Sequence, residues 1–442
     1  MSVGPINELP PVHEAWLPRE HSLHRPRHGK RQLTALVSAL VFFATPTLMW
    51  VFGMRASEIE NHKLASFPTF GEGWGVFTNL DEWATDNLVF REGAVQATDW
   101  VSRTFFGEAA PFDQGGATEP TGPLPGSPSE PAPGDSGPSV PGADQPDGSD
   151  AGFRRVVEGS DGWLYFGTDA LAKCHPQVPL DTTMAQLAKL RNVVESSGRE
   201  FVLVAVPDKT TMVPEHLPAT YPGKDCADPV TPDLWRKAVR VAGAIDIRPR
   251  LSVAADKLGK PVYYPQDTHW THEGAIEMVG AVADEVKPGV TDRWRIQAKE
   301  RYSADADLPP LIGKKGKNNA TSYRLRPNGR TDRTEPGAND LQSPLHHEST
   351  PLSGQVIAKT LVLGDSFLVA ASRYLPAAFA DVTMQYYLTA GRAPDQVVDS
   401  MADAKIVVLQ VVERNIAAGT PEVLTPAFLE KLSVELAKRP VR

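Results

Sequence analysis

The chain has 442 residues, with 45 Lys and Arg against 54 Asp and Glu, a formal charge of -9. That balance argues against nucleic acid as the main partner, since such partners are usually met by a basic face. Its two cysteines, Cys174 and Cys226, lie far from any C-x-x-C spacing, which excludes a zinc ribbon or thioredoxin-like motif; in an oxidising compartment they would form one disulfide.

Residues 1–32 are polar and irregular and end in a basic cluster of Arg19, Arg25, Arg27, Lys30 and Arg31. Leu33 to Gly53 then carries no charge, and a helix of that length covers about 30 Å, the thickness of a bilayer's hydrocarbon core. Pro46 is tolerable in a membrane helix, and Trp50 stands where interfacial aromatics are common. Arg55, Glu58, Glu60 and Lys63 beyond it are mixed in sign, so the positive-inside rule puts residues 1–32 in the cytoplasm. A cleaved signal peptide is the alternative, but the run exceeds a usual h-region and no small-x-small site follows. The expectation is therefore an uncleaved single-pass anchor over 33–53 with the remainder extracytoplasmic.

Residues 54–107 read as a juxtamembrane helical segment, with Trp83, Leu88, Phe90, Val95 and Trp100 loosely on one face. Residues 108–152 turn to Pro, Gly, Ser and Asp and cannot bury enough surface to offset their ordering entropy, which predicts a flexible linker. One large folded domain is expected over 153–442. Strands are expected at 201–206, 261–264, 360–363, 382–387 and 406–412. Helices are expected where Met184, Leu187, Leu190, Val193 and Val194, and later Leu234, Trp235, Ala238 and Val241, share a face. Apolar strands alternating with amphipathic helices imply a mainly parallel α/β sheet covered on both sides, with functional residues at the strands' C-terminal ends. Residues 293–333 carry 11 Lys or Arg against 4 Asp or Glu. They read as a solvated surface excursion, or, more sharply, as a basic lip for an anionic polymer.

Two stretches carry chemistry. Thr360-Leu361-Val362-Leu363 feeds into Gly364-Asp365-Ser366-Phe367, which presents a serine at a strand's end before a helix, where outward N–H groups favour a developing oxyanion. The plain alternative is that Asp365 or Ser366 is an ordinary N-cap. After the expected strand 261–264 comes Asp267-Thr268-His269-Trp270. One residue apart, Asp267 could fix the tautomer of His269 while the other ring nitrogen faces Ser366, the logic of a Ser-His-Asp triad. Tyr386 and Gly391, after another strand, could border the oxyanion hole. A metal site from Asp267, His269, His272 and Glu273 is the rival, though no H-E-x-x-H spacing exists; neither metal nor cofactor is expected. His346-His347 reads as a surface loop.

Glu60-Asn61-His62-Lys63-Leu64-Ala65-Ser66-Phe67-Pro68, Asp86-Asn87-Leu88-Val89-Phe90-Arg91, Asp161-Gly162-Trp163-Leu164-Tyr165, Val206-Pro207-Asp208-Lys209, Asp267-Thr268-His269-Trp270, Gly364-Asp365-Ser366-Phe367 and Glu413-Arg414-Asn415 occur in this order. As a set they resemble the extracytoplasmic alginate O-acetyltransferase family of the AlgJ and AlgX type. The resemblance implies an SGNH-hydrolase-like three-layer α/β domain with Ser366 as nucleophile, His269 as base and Asp267 as its orienter. It matches Lys209 and Arg414 to recurrent family positions, as charge near the acyl site or as structural pairing with Glu413. It further implies a cell-surface polysaccharide or glycan acceptor and a membrane-bound acyltransferase as donor. The chain departs from the alginate enzymes in its anchor, its Pro-rich insertion and the lack of a carbohydrate-binding segment after Arg414, which leaves the glycan open. An acetyl esterase with the same triad, and a non-catalytic envelope assembly protein using the fold for binding, are the other readings.

Overall fold

The computed structural model describes residues 30–52, 54, 83, 152–338 and 340–441. The expected cytoplasmic tail, juxtamembrane segment and linker fall almost wholly outside the described residues. Helix α1 (Lys30–Val51) covers most of the uncharged run but takes in Lys30, Arg31 and Gln32 at its start. Leu33, Leu36, Val37, Leu40 and Val41 are more than half exposed on it. Among the described residues no helix is long and apolar enough to cross a membrane, so the expected span is unconfirmed there.

From residue 152 onward the elements run β1 (Val156–Glu158), β2 (Leu164–Phe166), α2 (Thr168–Cys174), α3 (Leu180–Ser196), β3 (Glu200–Val206), α4 (Lys224–Arg240), β4 (Ile245–Asp246), α5 (Arg248–Leu258) and α6 (His272–Val286). There follow β5 (Arg295–Asp305), β6 (Lys317–Arg326), β7 (Leu345–Glu348), β8 (Thr360–Gly364), α7 (Leu368–Ser372), β9 (Asp381–Tyr386), α8 (Pro394–Asp403), β10 (Ile406–Val412), α9 (Glu413–Ala418) and α10 (Pro426–Lys438), with single helical turns between some of them.

Among the described residues a six-stranded sheet has the order β4-β3-β10-β8-β9-β7. All neighbours pair in parallel except β7, which runs antiparallel along β9. Successive side chains of a strand face opposite sides, and the two sides build separate cores. Val202, Val204, Val206, Val408 and Val412 pack with α5 and α6. Phe201, Leu203, Ala205, Leu409 and Val411 pack with α3, α4, α8 and α10. Each such side chain, when fully buried, contributes about 1.5–3 kcal/mol relative to exposure. Helix α3 buries Met184, Leu187, Leu190 and Val194, the expected face. The result is the mainly parallel three-layer α/β fold. The chain leaves β3 toward one edge for β4, then β8 and β9 build the other side before β10 returns between β3 and β8. The C-terminal ends of β3, β10 and β8 therefore meet where the topology reverses, the place where such sheets hold sites.

Four expectations are corrected. Residues 261–264 are not a sheet strand: Tyr263 makes one bridge to Trp270, and Tyr264 N to His269 O and Thr271 N to Val262 O close the segment on itself, so its backbone needs no sheet partner. Residues 295–326, expected as part of a solvated surface excursion, form an antiparallel ribbon, β5 with β6. Its β5 strand is almost wholly exposed, which hid any strand period among charged residues. His346 and His347 lie in edge strand β7, not in a loop. Helix α7 starts at Leu368 and is five residues long, too short for the dipole effect expected at Ser366.

Candidate active site

Strand β8 ends on Gly364, where a Cβ would sit 2.4 Å from Gln410 Oε1. Glycine lets the β10 side chain come close enough to grip Asp365. Gln410 Nε2 donates to Asp365 Oδ1 at 2.8 Å, and Asp365 N donates to Gln410 Oε1 at 3.2 Å. Asp365 also accepts from Phe367 N at 3.1 Å and Val412 N at 2.8 Å. Burial pushes this carboxyl up, against the pull of those hydrogen bonds. Asp365 thus ties the turn to β10, and the turn delivers Ser366.

Ser366 Oγ stands 2.8 Å from His269 Nε2. On the other side of the ring, His269 Nδ1 is 2.7 Å from Asp267 Oδ1, which also accepts from His269 N at 3.0 Å. Asp267 Oδ2 accepts from Asn318 Nδ2 at 2.8 Å and from Asp307 N at 3.3 Å. A second carboxylate oxygen, Asp307 Oδ2, lies 3.3 Å from His269 Nδ1, while Asp307 Oδ1 accepts from Thr268 N at 2.8 Å. Burial pushes the imidazole down, but its bonds to Asp267 and Asp307 outweigh that and hold it up at about 9. Burial pushes Asp267 up, yet the hydrogen bonds from His269 and Asn318 leave it below the usual carboxylate range. Burial and the neighbouring Asp267 charge raise Asp307. The Phe367 ring lies 4.8 Å from the imidazole, and Trp270, edge-on to Phe367, donates Nε1–H to its carbonyl at 3.1 Å. These contacts fix both ring and turn. The arrangement opens into a cavity of about 270 Å³ walled by Tyr264, His272, Tyr302 and Arg373 among others.

The structure therefore brings Ser366, His269 and Asp267 together, and it does not bring the other candidates to the cavity. Lys209 is buried beneath it. Its Nζ donates to the carbonyls of Tyr264 (3.1 Å), Pro265 (3.2 Å) and Asp267 (2.6 Å), over the rings of Trp163 and Tyr165. Burial brings this ammonium down to about 8 despite the nearby Asp307 and Asp267 carboxylates. Lys209 is thus a post under the loop that carries the Asp-x-His pair. Arg414 is buried too, with Nη1 3.2 Å from Asp208 Oδ1 and 3.3 Å from Asp169 Oδ1. Glu413 pairs with Lys173 at 2.8 Å rather than with Arg414. Tyr386 points into the core with its hydroxyl buried and unpartnered. Gly391 packs against Glu422. Neither lines the cavity around Ser366. Cys174 and Cys226 are joined, their Cα atoms 5.5 Å apart.

The metal quartet does not converge. His272 Nε2 meets Tyr302, and Glu273 meets Tyr323 and Lys260. Among the described residues the grouping close enough to hold an ion is Asp267, His269 and Asp307, in which Asp267 Oδ1 and His269 Nδ1 are already bonded to each other. Asp307 and Asn318 escaped sequence reading because they lie in the charged stretch taken as surface. No local spacing marks them; the ribbon folds them back onto the loop.

Residues 156–369 match the family described as SGNH hydrolase-like domain, acetyltransferase AlgX. A protein named "Probable alginate O-acetylase AlgJ" from Pseudomonas syringae pv. tomato is 30% identical over 165 residues, 36% of this chain and 41% of that protein. Another of that name from Pseudomonas fluorescens is 30% identical over 159 residues, 36% and 35% of the two chains. The matched stretch spans less than half the length of either relative. Among solved structures, the O-acetyltransferase domain of Pseudomonas putida AlgJ aligns with a TM-score of 0.44 at 18% identity, over 63% of this chain and 98% of that one. Bacillus cereus PatB1 aligns at 0.39 and 12%, over 59% and 96%. Over residues 156–369, just under half of its length, the chain is thus similar to the SGNH hydrolase-like domain of the AlgX acetyltransferase description.

Proposed function

We propose that this protein is an O-acetyltransferase that acetylates hydroxyls of a cell-surface polysaccharide through an acetyl-Ser366 intermediate. The observation that carries the proposal is the hydrogen-bonded chain from Ser366 Oγ through His269 to Asp267, opening on a cavity. In the first half-reaction neutral His269 takes the Ser366 proton as Oγ bonds the acetyl carbon of the donor. The tetrahedral intermediate then expels the donor's oxygen, which takes that proton from the imidazolium. In the second half-reaction a sugar hydroxyl gives its proton to His269 Nε2 while its oxygen bonds the acetyl carbon. The Ser366 ester bond breaks, and the proton returns to Oγ. Asp267 holds the ring and stabilises the imidazolium without taking its proton.

In this proposal a membrane-bound acyltransferase supplies the acetyl group, and the uncharged run 33–53 tethers the domain outside the membrane. That last part rests on the sequence alone. The test is expression of the full chain, a Ser366→Ala form and a form lacking 33–53, with assay of acetyl groups on envelope glycan and cell fractionation. The expected result is an acetyl adduct on Ser366, loss of glycan acetylation in Ser366→Ala by a factor on the order of 10³ or more, and release of the shortened chain from the membrane fraction. Full activity of Ser366→Ala would sink the enzymatic reading in favour of a binding role. Free acetate with no acetylated glycan would mark an esterase, and an unchanged fractionation would remove the tether.

A further inference from the structure

A second polar pair faces the same cavity. His272, the first residue of α6, is buried, and its Nε2 lies 2.6 Å from the Tyr302 hydroxyl. Tyr374 packs edge-on against the imidazole. The other ring nitrogen, Nδ1, is buried with no hydrogen-bond partner. Tyr302 is itself 39% exposed, lines the cavity, and has His272 as the hydrogen-bond partner of its hydroxyl.

This geometry selects a tautomer. Burial, with the Arg373 charge nearby, brings His272 down to about 4, so the ring is neutral at physiological pH. A neutral imidazole has one N–H and one lone pair. If Nε2 accepted from Tyr302, the proton would sit on Nδ1, a buried donor with nothing to receive it. Orphaned buried N–H groups are rarer and more costly than under-used acceptors. The proton therefore belongs on Nε2, which donates to the tyrosine oxygen. The Tyr302 hydrogen is then not used by the protein and is available to the cavity.

Ser366, Phe367 and Ala370, beside which the acyl group would sit, and Tyr302, Ala304 and Ala320 of the ribbon line the same cavity. We propose that Tyr302 is an acceptor-binding residue, donating its hydroxyl hydrogen to an oxygen of the sugar, and that His272 is the positioning residue that orients it. This deepens the acetyltransferase reading of Ser366 and rests on it. Tyr302 makes or breaks no covalent bond, and proton transfer stays with His269.

The experiment uses a chromogenic acetyl ester as donor and a panel of oligosaccharides as acceptors. The burst of chromophore reports acylation of Ser366, and acetylated sugar reports transfer. In Tyr302→Phe the burst is expected to stay within about 2-fold of wild type, while kcat/KM for the acceptor falls about 10-fold, the usual worth of one hydrogen bond. His272→Gln should lose a similar factor in the wild-type background and nothing further in Tyr302→Phe. Nitrogen-15 NMR of the intact protein should show His272 neutral with its proton on Nε2. An unchanged acceptor kcat/KM, or loss of the burst along with transfer, overturns the acceptor role of Tyr302. Additive losses, or a proton on Nδ1, overturn the positioning role of His272. A wild-type protein without any burst counts instead against the reading of Ser366, and the NMR result still decides the tautomer.

Discussion

At the scale of single residues, two carboxylates bear on one nitrogen of His269. Asp267 lies at 2.7 Å and Asp307 at 3.3 Å from Nδ1, and together they hold the imidazole up at about 9 against the effect of burial. A base works in its neutral form, so acylation of Ser366 should rise with pH toward a limb near that value. Asp307→Asn removes one negative charge but keeps an amide in place. The limb should then move to lower pH by about one unit, the low end of what a nearby opposite charge does. A pH profile of burst rate checks this, and an unmoved or higher limb would show that Asp307 is not ionised in the working state. The main three residues were readable because Asp-x-His and Gly-Asp-Ser are local spacings. Asp307 and Asn318 were not, since 40 and 51 positions separate them from Asp267. Asp365 was readable only as a cap, whereas it acts as a clamp onto Gln410.

At the scale of elements, the ends of β3 and β10 deposit charge in the interior. Asp208 follows β3, Glu413 and Arg414 open α9, and Asp169 and Lys173 reach in from α2, each with a side chain no more than 2% exposed. Three carboxyls face two cations there. Burial, together with the neighbouring Asp169, pushes Asp208 well up, against the pull of Lys173 and Arg414. Lys173 bridges Asp208 and Glu413 at 3.3 and 2.8 Å, while Arg414 bridges Asp208 and Asp169. Removing one cation strands charges that water cannot reach. Arg414→Met should therefore cost about 3–5 kcal/mol of stability, as broken buried pairs do. Urea unfolding measures it, and a loss below about 1 kcal/mol would mean that the carboxyls simply take up protons. The pairing of Glu413 with Lys173 could not be read from sequence, because Glu413 and Arg414 are adjacent and invite the wrong pair.

At the scale of the molecule, Cys174 and Cys226 close a loop of 52 residues and pin the end of α2, which carries Asp169 and Lys173, to the start of α4. By loop-closure entropy such a bridge is worth about 4 kcal/mol, and about 2–4 is typical. A Cys174→Ala, Cys226→Ala form should lose that amount in urea unfolding under oxidising conditions, and an unchanged midpoint would show the link to be redundant. The sequence by itself determined the layered fold, because continuous apolar strands and helical faces are properties of neighbouring residues and decide what must be buried. It also determined that the serine would stand at a strand's end, and which local pair, Asp-x-His, would serve it. Only the tertiary structure decided that the latter sits on a self-closing loop rather than a strand, that a charged ribbon folds back to supply Asp307, Asn318 and Tyr302, and that Lys209 and Arg414 stand beneath the site. Those outcomes depend on which distant groups satisfy one another's hydrogen bonds and charges once water is excluded, and no spacing along the chain records that.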